Sequence, residues 1–253
     1  MAKWLALAVL AGLLGAVARA SPPQADIVVS NSEGGSLLDF IGKVMADAYS
    51  QVGAKAVVKT FPTARSIEMA NNGVTDAEAL RGPGLEHDFP NLIPIPEPIV
   101  MLEYRAYTVG KPLEGEGWTA LRGKRICVNL GEKLIEDRTR GFSREMAHGI
   151  DAALKMLKAG RCEVVVANQF VWLTVERDNL GTFCAGSGRL DAFPLFHYVN
   201  KRHADLVPGL TAALRDIRDS GRLDRYLAAD PNYSRLDQIK SRYDCAATDA
   251  ARP

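Results

Sequence analysis

One stretch of the chain decides the fold class: Leu157-Lys158-Ala159-Gly160-Arg161-Cys162-Glu163-Val164-Val165-Val166-Ala167. A helix ends in its first part, because Ile150, Leu154 and Leu157 lie at helical spacing and Gly160 is the residue type that commonly follows a last helical turn. The apolar run at 162–167 then begins, and its valines are typical of a strand buried on both faces. A helix that leads through a glycine into a buried strand indicates a layered α/β fold.

The segments on both sides of this stretch continue the alternation of strands and helices. The predicted strands lie at residues 27–29, 56–58, 75–80, 91–95, 99–109, 125–129 and 193–199. The predicted helices lie at residues 36–53, 62–73, 150–160, 168–179 and 203–220. We find no internal repeat and no low-complexity segment, so the pattern favours packed α/β layers along most of the chain.

The first twenty residues have the pattern of a secretory signal peptide. Lys3 gives a basic start, residues 4–17 are almost entirely apolar, and Ala18-Arg19-Ala20 offers the small residues that signal peptidase reads. The apolar run is only about 14 residues long, whereas a membrane span needs about 20. We therefore expect export to the periplasm with cleavage near Ala20, and a flexible tail at residues 246–253.

Charge and cysteine content narrow the function classes. The chain has 31 basic and 30 acidic residues, so no overall field favours nucleic acid or an anionic membrane. The four cysteines are Cys127, Cys162, Cys184 and Cys245. Export permits disulfides and an even number suits two bridges, although three connectivities exist. A zinc site and a buried free thiol are the alternatives, but zinc ligands usually come in close pairs, which none of these cysteines has.

Three segments carry a family resemblance. The first contains Pro62-x-x-Arg65, Asn72-Gly73-x-x-Asp76, Arg81, Asn91-Leu92-Ile93 and Glu97-Pro98. The second is Leu121-x-Gly123-Lys124-Arg125-Ile126-Cys127-Val128, and the third is the stretch quoted above. In this order and spacing, they resemble the type 2 periplasmic solute-binding proteins of family 3, which include the polar amino acid receptors of ABC importers. The resemblance covers nearly the whole chain after residue 20.

The resemblance implies an architecture and a role. It implies two lobes, each a mixed sheet flanked by helices, joined by a hinge of two extended crossovers. Lobe 1 would comprise residues 25–107 and 200–245, and lobe 2 residues 108–199. A small ligand would bind between the lobes, whose closure is a hinge motion. The protein would then be a monomer without a cofactor that delivers its ligand to an inner-membrane transporter.

Arg81 is the sharpest candidate for ligand contact in lobe 1. In the amino acid receptors that this chain resembles, the arginine after the Gly-x-x-Asp segment clamps the ligand carboxylate, for which a planar guanidinium is suited. The alternatives are a solvent-facing arginine and one paired with Glu78. Ser30 follows the first strand, and Phe61 and Arg65 follow the second, so these three are further candidates. Their alternatives are a simple turn, core packing and a solvated helix face, respectively.

In lobe 2, an amide stands where the amino acid receptors have the aspartate that pairs with the ligand ammonium. This residue is Asn168, which can accept a hydrogen bond but cannot neutralise a charge; a plain helix cap is the alternative. Phe170 or Trp172 is expected to line the cleft. Tyr104 and Tyr107 lie three apart on one strand and so on opposite faces, which points one of them to the cleft.

The loop Asn129-Leu130-Gly131-Glu132 lacks the hydroxyls that the resemblance leads us to expect around an anionic ligand. Asn129 is a candidate for ligand contact, and Glu132 would repel an anion. A neutral, cationic or largely apolar ligand therefore fits better than a free α-amino acid. Two alternatives stay open: a carrier of a lipid, sterol or other amphipathic molecule, and a sensor or accessory subunit that contacts a membrane protein.

Catalytic patterns are not found in the sequence. The four histidines, at 87, 148, 197 and 203, lack metal-ligand spacing, and there is no G-x-S-x-G motif. An enzyme on this fold would need a positioned acid and base, for which only Glu78 and Glu132 could be nominated. We therefore predict a binding protein that is not an enzyme and holds no metal.

Overall fold

The computed structural model describes residues 25–33 and 37–245. The predicted signal peptide, the predicted tail at 246–253 and the turn at 34–36 lie outside the described residues. The strands are β1 (Ala25–Ser32), β2 (Ala54–Phe61), β3 (Ala77–Arg81), β4 (Leu92–Pro94), β5 (Val100–Thr108), β6 (Ile126–Asn129), β7 (Arg144–Ala147), β8 (Val164–Asn168), β9 (Cys184–Ala185) and β10 (Asp191–Asn200). The α-helices are α1 (Leu38–Gln51), α2 (Thr63–Asn71), α3 (Lys133–Arg138), α4 (Ile150–Lys158), α5 (Val171–Arg177), α6 (Val207–Asp219), α7 (Arg222–Ala228) and α8 (Leu236–Tyr243).

The strands form one curled mixed sheet in the order β2-β1-β3-β10-β5-β8-β6-β7, with β4 paired to β10 and β9 paired to β5. Parallel pairs lie toward both ends, β1 with β2 and β3, and β6 with β7 and β8. In the middle, the first half of β10 runs antiparallel to the first half of β5. We call this two-stranded piece, residues 100–104 and 191–195, the ribbon. It connects two groups of elements, which are the two lobes.

Lobe 1 contains β1 to β4, the second half of β10, and α1, α2, α6 and α7. Its core lies between the sheet and the helices α1 and α6, which pack on each other. The two helices bury residues at the three-to-four spacing that the sequence shows. The fully or almost fully buried side chains are Phe40, Ile41, Val44, Met45, Ala48 and Tyr49 in α1, and Leu210, Ala213, Leu214 and Ile217 in α6.

Lobe 2 contains β6 to β9, the second half of β5, and α3, α4, α5 and α8. Strand β8 runs through its centre and is covered on both faces. Val165 and Ala167 pack on one side with Leu154 and Trp172, whereas the alternate residues of the strand pack on the other side. Because both faces are buried, the strand reads as a continuous apolar run in the sequence, as a strand covered on both faces should.

Two disulfides resolve the connectivity that the sequence left open. Cys127 of β6 is bonded to Cys162, which lies just before β8, so the bridge joins neighbouring parallel strands. Cys184 of β9 is bonded to Cys245. The four cysteines thus form two bridges, the number that their even count suits, and the described residues contain no free cysteine.

The chain changes lobes at other places than the sequence-based boundaries. Those boundaries lie at residues 107–108 and 199–200, near the ends of β5 and β10. In the structure, both strands change lobes near their middle, because Tyr104–Tyr107 of β5 pairs with β8 while the second half of β10 pairs with β3 and β4. Each of the two strands therefore belongs to both lobes, and its sequence contains no break that marks the crossing.

The C-terminal segment crosses a third time. It was expected to belong to lobe 1, but α8 packs on α5, and its Ile239 is 1 % exposed inside the lobe 2 core. We call residues 229–235, which lead from α7 to α8, the strap. Asp230 holds the strap on lobe 1, since its buried carboxylate accepts a hydrogen bond from the backbone N–H of Phe40 in α1 at 3.1 Å. The bridge from Cys184 holds the following residues on lobe 2.

Candidate functional site

A cleft of about 660 Å³ lies between the lobes. Its volume is within the usual range of ligand sites, which is about 300–1,000 Å³. The carboxyl ends of β1, β3, β6 and β8 point toward the cleft, as ligand sites of α/β sheets commonly have them. The ribbon forms its back wall.

The back wall is apolar because the ribbon presents alternate residues of each strand to the cleft. Val100, Leu102 and Tyr104 do so from β5, and Phe193 and Leu195 from β10. This spacing of two is what an extended strand imposes. The rings of Tyr104 and Phe193 lie 5.8 Å apart in a tilted pair. The apolar surface gives the cleft room for the hydrocarbon or aromatic part of a ligand.

Arg81 lies at the cleft wall of lobe 1 at the end of β3, and it is already ion-paired. Its Nη2 is 2.5 Å from Oε1 of Glu78, which is fully buried. The hydroxyls of Ser30 and Ser66 each donate to the other carboxylate oxygen, Oε2, at 2.6 Å. Arg81 Nη2 also donates to the carbonyl of Thr63 at 3.3 Å. The charge of the guanidinium is thus largely neutralised by the carboxylate of Glu78, which is buried below the surface of the cleft.

Two polar groups of the lobe 1 wall keep unused donors. The Nε–H of Arg81 and the Nδ2 amide of Asn31 are buried and have no hydrogen-bond partner among the described residues. Both residues line the cleft. Burying a donor without a partner costs about 1–3 kcal/mol. A ligand with acceptor oxygens or nitrogens in the cleft would remove that cost.

Glu132 is the central polar residue of the lobe 2 wall. Its Oε2 accepts a hydrogen bond from the hydroxyl of Tyr104 at 2.8 Å, and its Oε1 accepts one from Nδ2 of Asn129 at 3.0 Å. Asn129 is oriented in turn, because its Oδ1 accepts from the backbone N–H of Gly149 at 3.0 Å. Burial raises the pKa of Glu132, although the two hydrogen bonds and the nearby charge of Arg81 act in the opposite direction.

The lobes touch at two glycines. Gly131 of lobe 2 lies against the start of α2, where an added Cβ would be 2.9 Å from the backbone nitrogen of Ala64. Gly82 of lobe 1 lies against Leu134, whose Cδ2 would be 3.2 Å from an added Cβ. The side chain of Phe170 also reaches across, because it packs in the lobe 1 core although it belongs to lobe 2. The absence of a side chain at Gly131 and Gly82 lets the lobes approach closely.

The structure brings five of the nine sequence-predicted site residues to the cleft: Arg81, Asn168, Tyr104, Phe170 and Asn129. Asn168 lies beside Tyr104 in the sheet, and its Oδ1 accepts a hydrogen bond from the backbone N–H of Phe170 at 3.0 Å. That bond occupies one acceptor site of the oxygen with which Asn168 could receive a ligand ammonium.

The other four predicted residues do not line the cleft. Ser30 is fully buried beneath it and supports Glu78. Phe61 is the last residue of β2, and Arg65 is exposed on α2. Trp172 is 2 % exposed in the lobe 2 core, where its ring meets that of Tyr107 edge-on at 5.4 Å.

Several residues line the cleft that no pattern in the sequence singles out. They include Asn31, Glu33, His87, Asp88, Lys133 and His148. Asn31 directly follows Ser30 on β1, and successive residues of a strand point to opposite faces. Asn31 therefore lines the cleft, whereas the predicted Ser30 points away from it. The others lie in loops or in short helical segments, such as Lys133 at the start of the six-residue α3, where the sequence contains no periodic signal.

Neither metal ligation nor a membrane span is visible in the part of the chain that the structure describes. No three histidine, cysteine, aspartate or glutamate side chains cluster there as a metal site requires. In the same residues, no helix combines the length and the apolar composition that crossing a bilayer needs.

No protein-family model and no curated protein matches the sequence. Solved structures match over most of the chain. A histidine kinase sensor domain with similarity to periplasmic binding proteins has a TM-score of 0.68 at 14 % identity and covers 82 % of this chain and 96 % of its own. An ancestral arginine-binding protein bound to arginine has a TM-score of 0.65 at 17 % identity, with 82 % and 99 % coverage. The substrate-binding protein of an amino acid ABC transporter has a TM-score of 0.64 at 13 % identity, with 82 % and 99 % coverage.

These neighbours are similar to the chain in architecture rather than in sequence. They share the mixed sheet and the two lobes on either side of a cleft. The α/β class and the two-lobed arrangement that the sequence predicts are therefore confirmed. The chain has the type 2 fold of the periplasmic solute-binding proteins.

Proposed function

We propose that the protein is a periplasmic solute-binding protein, which captures a small organic ligand between its lobes and presents it to an inner-membrane transporter. The observation that carries the proposal is the cleft itself: about 660 Å³, bounded by both lobes and lined by an apolar back wall and buried polar groups. Such a mixture of apolar surface and few convergent polar groups is what small-molecule sites show.

The unused donors of Asn31 and Arg81 support ligand capture rather than a purely structural cleft. A buried donor is costly unless it is paired, and these two lie on the wall that a ligand would contact. The structural neighbours that bind arginine or serve an amino acid ABC transporter support the same general role. The two disulfides favour an oxidising compartment such as the periplasm.

The ligand differs from a free α-amino acid in this proposal. Arg81 is neutralised by Glu78, and the side-chain oxygen of Asn168 already accepts one hydrogen bond, from the backbone N–H of Phe170. A ligand carboxylate and a ligand ammonium would therefore each meet a weaker partner than the clamp of the resembling receptors offers. The apolar back wall favours a ligand with a substantial hydrocarbon or aromatic part.

A sensory role is the second candidate, because a histidine kinase sensor domain shares the fold with a TM-score of 0.68. In that case the lobes would contact a membrane-bound signalling protein instead of a transporter. Ligand capture is common to both roles. Pull-down from a periplasmic membrane fraction, with and without the ligand, would separate them by the partner recovered.

The test of ligand capture is a thermal-shift screen. The purified protein is unfolded in urea with its disulfides intact, dialysed to remove any retained molecule, refolded, and then heated with pools of small metabolites. A ligand that binds the folded state raises Tm, by the free energy RT ln(1 + [L]/Kd). We expect one pool to raise Tm by several degrees.

Matched variants locate the binding. Leu195→Trp enlarges a side chain of the apolar back wall, whereas Leu38→Trp makes the same change at an exposed position on α1. We expect the first variant to lose most of the ligand-induced shift and the second to keep it. No shift in any pool of polar or apolar compounds would refute ligand capture, and equal shifts in both variants would place the ligand elsewhere.

A further inference from the structure

The charges that line the cleft are not balanced. Besides His87 and His148, the cleft is lined by three lysine or arginine side chains. These are Arg81, Lys133 and Arg177, and each is paired with a carboxylate outside the lining: Glu78 at 2.5 Å, Glu136 at 3.4 Å and Asp178 at 2.8 Å, respectively. Their charges are therefore already compensated within the protein.

Of the acidic side chains that line the cleft, some are ion-paired and others are not. Asp137 and Asp151 are paired with Arg140 and Lys155. Glu33, Asp88 and Glu132 also line the cleft, but none of the three has a basic group within 4 Å among residues 25–33 and 37–245. The uncompensated charges in the cleft are thus carboxylates, so the cleft favours a cation and disfavours an anion.

Glu132 is the carboxylate best placed to hold a cation. Its two hydrogen bonds come from neutral donors, the Tyr104 hydroxyl and the Asn129 amide, and each of its oxygens receives one. Because a carboxylate offers about four acceptor sites, each oxygen can accept one further bond. The two donors fix the carboxylate in place, which lowers the entropy cost of binding.

The surroundings of Glu132 suggest the rest of the ligand. Its partner Tyr104 belongs to the apolar back wall together with Leu102 and Phe193, so a cationic group at Glu132 places its substituent along that wall. A ligand that also had a carboxylate would meet Arg81, whose charge is already used, and the uncompensated Glu33 and Asp88.

We propose that the cleft selects an organic cation, an amine or guanidine with an apolar body, neutral acceptor groups for the donors of Asn31 and Arg81, and no free carboxylate, and that Glu132 binds the cationic group. This deepens the proposed function and rests on it. The acidic partner would then come from the loop after β6, instead of from the end of β8 where Asn168 stands.

The test compares matched compounds that share one body and differ in the head group. Isothermal titration is carried out with series of primary amines and guanidines, with the alcohols and amides of equal length, and with the corresponding carboxylates; 2-phenylethylamine, 2-phenylethanol and 3-phenylpropionate form one such set. We expect binding among the amines or guanidines, with at least tenfold weaker binding of the neutral and anionic counterparts, and weakening by salt.

Three variants identify the residue. Glu132→Gln keeps the size and an acceptor oxygen but removes the charge, so the cation affinity should fall at least tenfold. Glu132→Asp keeps the charge and should retain preference for the cation. Glu145→Gln removes an exposed carboxylate of lobe 2 that lies outside the cleft lining, and it should change the affinity less than threefold. Circular dichroism and Tm of each variant without ligand report whether it is folded.

The outcomes separate the two proposals. Tight binding of neutral or anionic compounds, or cation binding that Glu132→Gln leaves unchanged, overturns the inference and leaves the solute-binding function standing. Binding of no compound of any class overturns both. Cation binding that Glu132→Gln abolishes and Glu132→Asp preserves supports both.

Discussion

His197 should make the stability of the protein sensitive to acid. The side chain is 1 % exposed in lobe 1, where its Nε2 lies 2.8 Å from the hydroxyl of Tyr49 and its Nδ1 lies 3.3 Å from the carbonyl of Ala79. The carbonyl can only accept, so Nδ1 carries the proton and Nε2 accepts from Tyr49. Burial lowers the pKa of His197 from 6.5 to about 4, although the backbone carbonyls of Ala79 and Glu78 oppose the shift.

The direction of the effect follows from proton linkage. Above pH 6.5 the imidazole is neutral in both states and the pH has no effect through this group. Below pH 6.5 the unfolded chain binds a proton that the folded protein does not, so stability falls until the pH reaches about 4. At about 1.4 kcal/mol per unit, a gap of about 2.5 units corresponds to a total loss of about 3.5 kcal/mol, of which about 3 kcal/mol is lost by pH 4.

Urea unfolding at pH 7.5, 6, 5 and 4 measures this loss. Other groups also titrate in acid, so the quantity to compare is the change in unfolding free energy between wild type and His197→Gln. Glutamine can accept from Tyr49 and donate to Ala79 while it carries no titrating proton. We expect the variant to be less stable at pH 7.5 but to lose about 3 kcal/mol less between pH 7.5 and pH 4. Parallel pH curves for the two proteins would refute the assignment of a buried neutral imidazole.

Three further predictions concern closure, the sheet and the strap. Gly131→Ala, whose Cβ would lie 2.9 Å from Ala64 N at a φ of 93°, should weaken ligand binding at least tenfold, as measured by titration; Gly141→Ala, where an added Cβ meets nothing within 4 Å, should leave it unchanged. Asp76→Asn should lower the free energy of unfolding in urea by about 2 kcal/mol, because the carboxylate accepts from Val28 N at 2.8 Å and binds Arg202 and His203; a change below 0.5 kcal/mol would contradict this role. Cys184→Ser should increase hydrogen exchange in α8 more than in α4, and equal exchange in both would count against a strap held by that bridge.

The sequence predicts lobe 2 well where burial imposes a pattern on the chain. The spacing of Leu154 and Leu157 predicts α4, because the helix buries one face. The run of valines predicts β8, because the strand buries both of its faces. Helix α8 gives no such signal, since Ile239 is its only buried residue. Strand β7 is an edge strand of four residues with two charged side chains, and the sequence pattern does not predict it.

The site was predictable in part for the same reason. The alternation along β5 separates Tyr104 from Tyr107, and the structure places the first in the cleft and the second in the core. No such rule separates Phe170 from Trp172, because the face that each occupies depends on where α5 begins. The contact of Glu132 with Tyr104 spans 28 residues, so it depends on the tertiary fold and not on a local motif.

The strap has a consequence for how the chain folds. Strands β1 to β3 need β10 and α6 to complete lobe 1, and the lobe 2 core lacks Ile239 until α8 is in place. Each lobe thus contains residues from late in the chain, because lobe 1 is complete only after α7 and lobe 2 only after α8. Of the two disulfides, Cys127–Cys162 links residues 35 apart and can close while the chain is still emerging, whereas Cys184–Cys245 must wait for the C-terminal segment. In a chain that crosses a membrane unfolded, lobe 2 would therefore stay incomplete until α8 and Cys245 have passed.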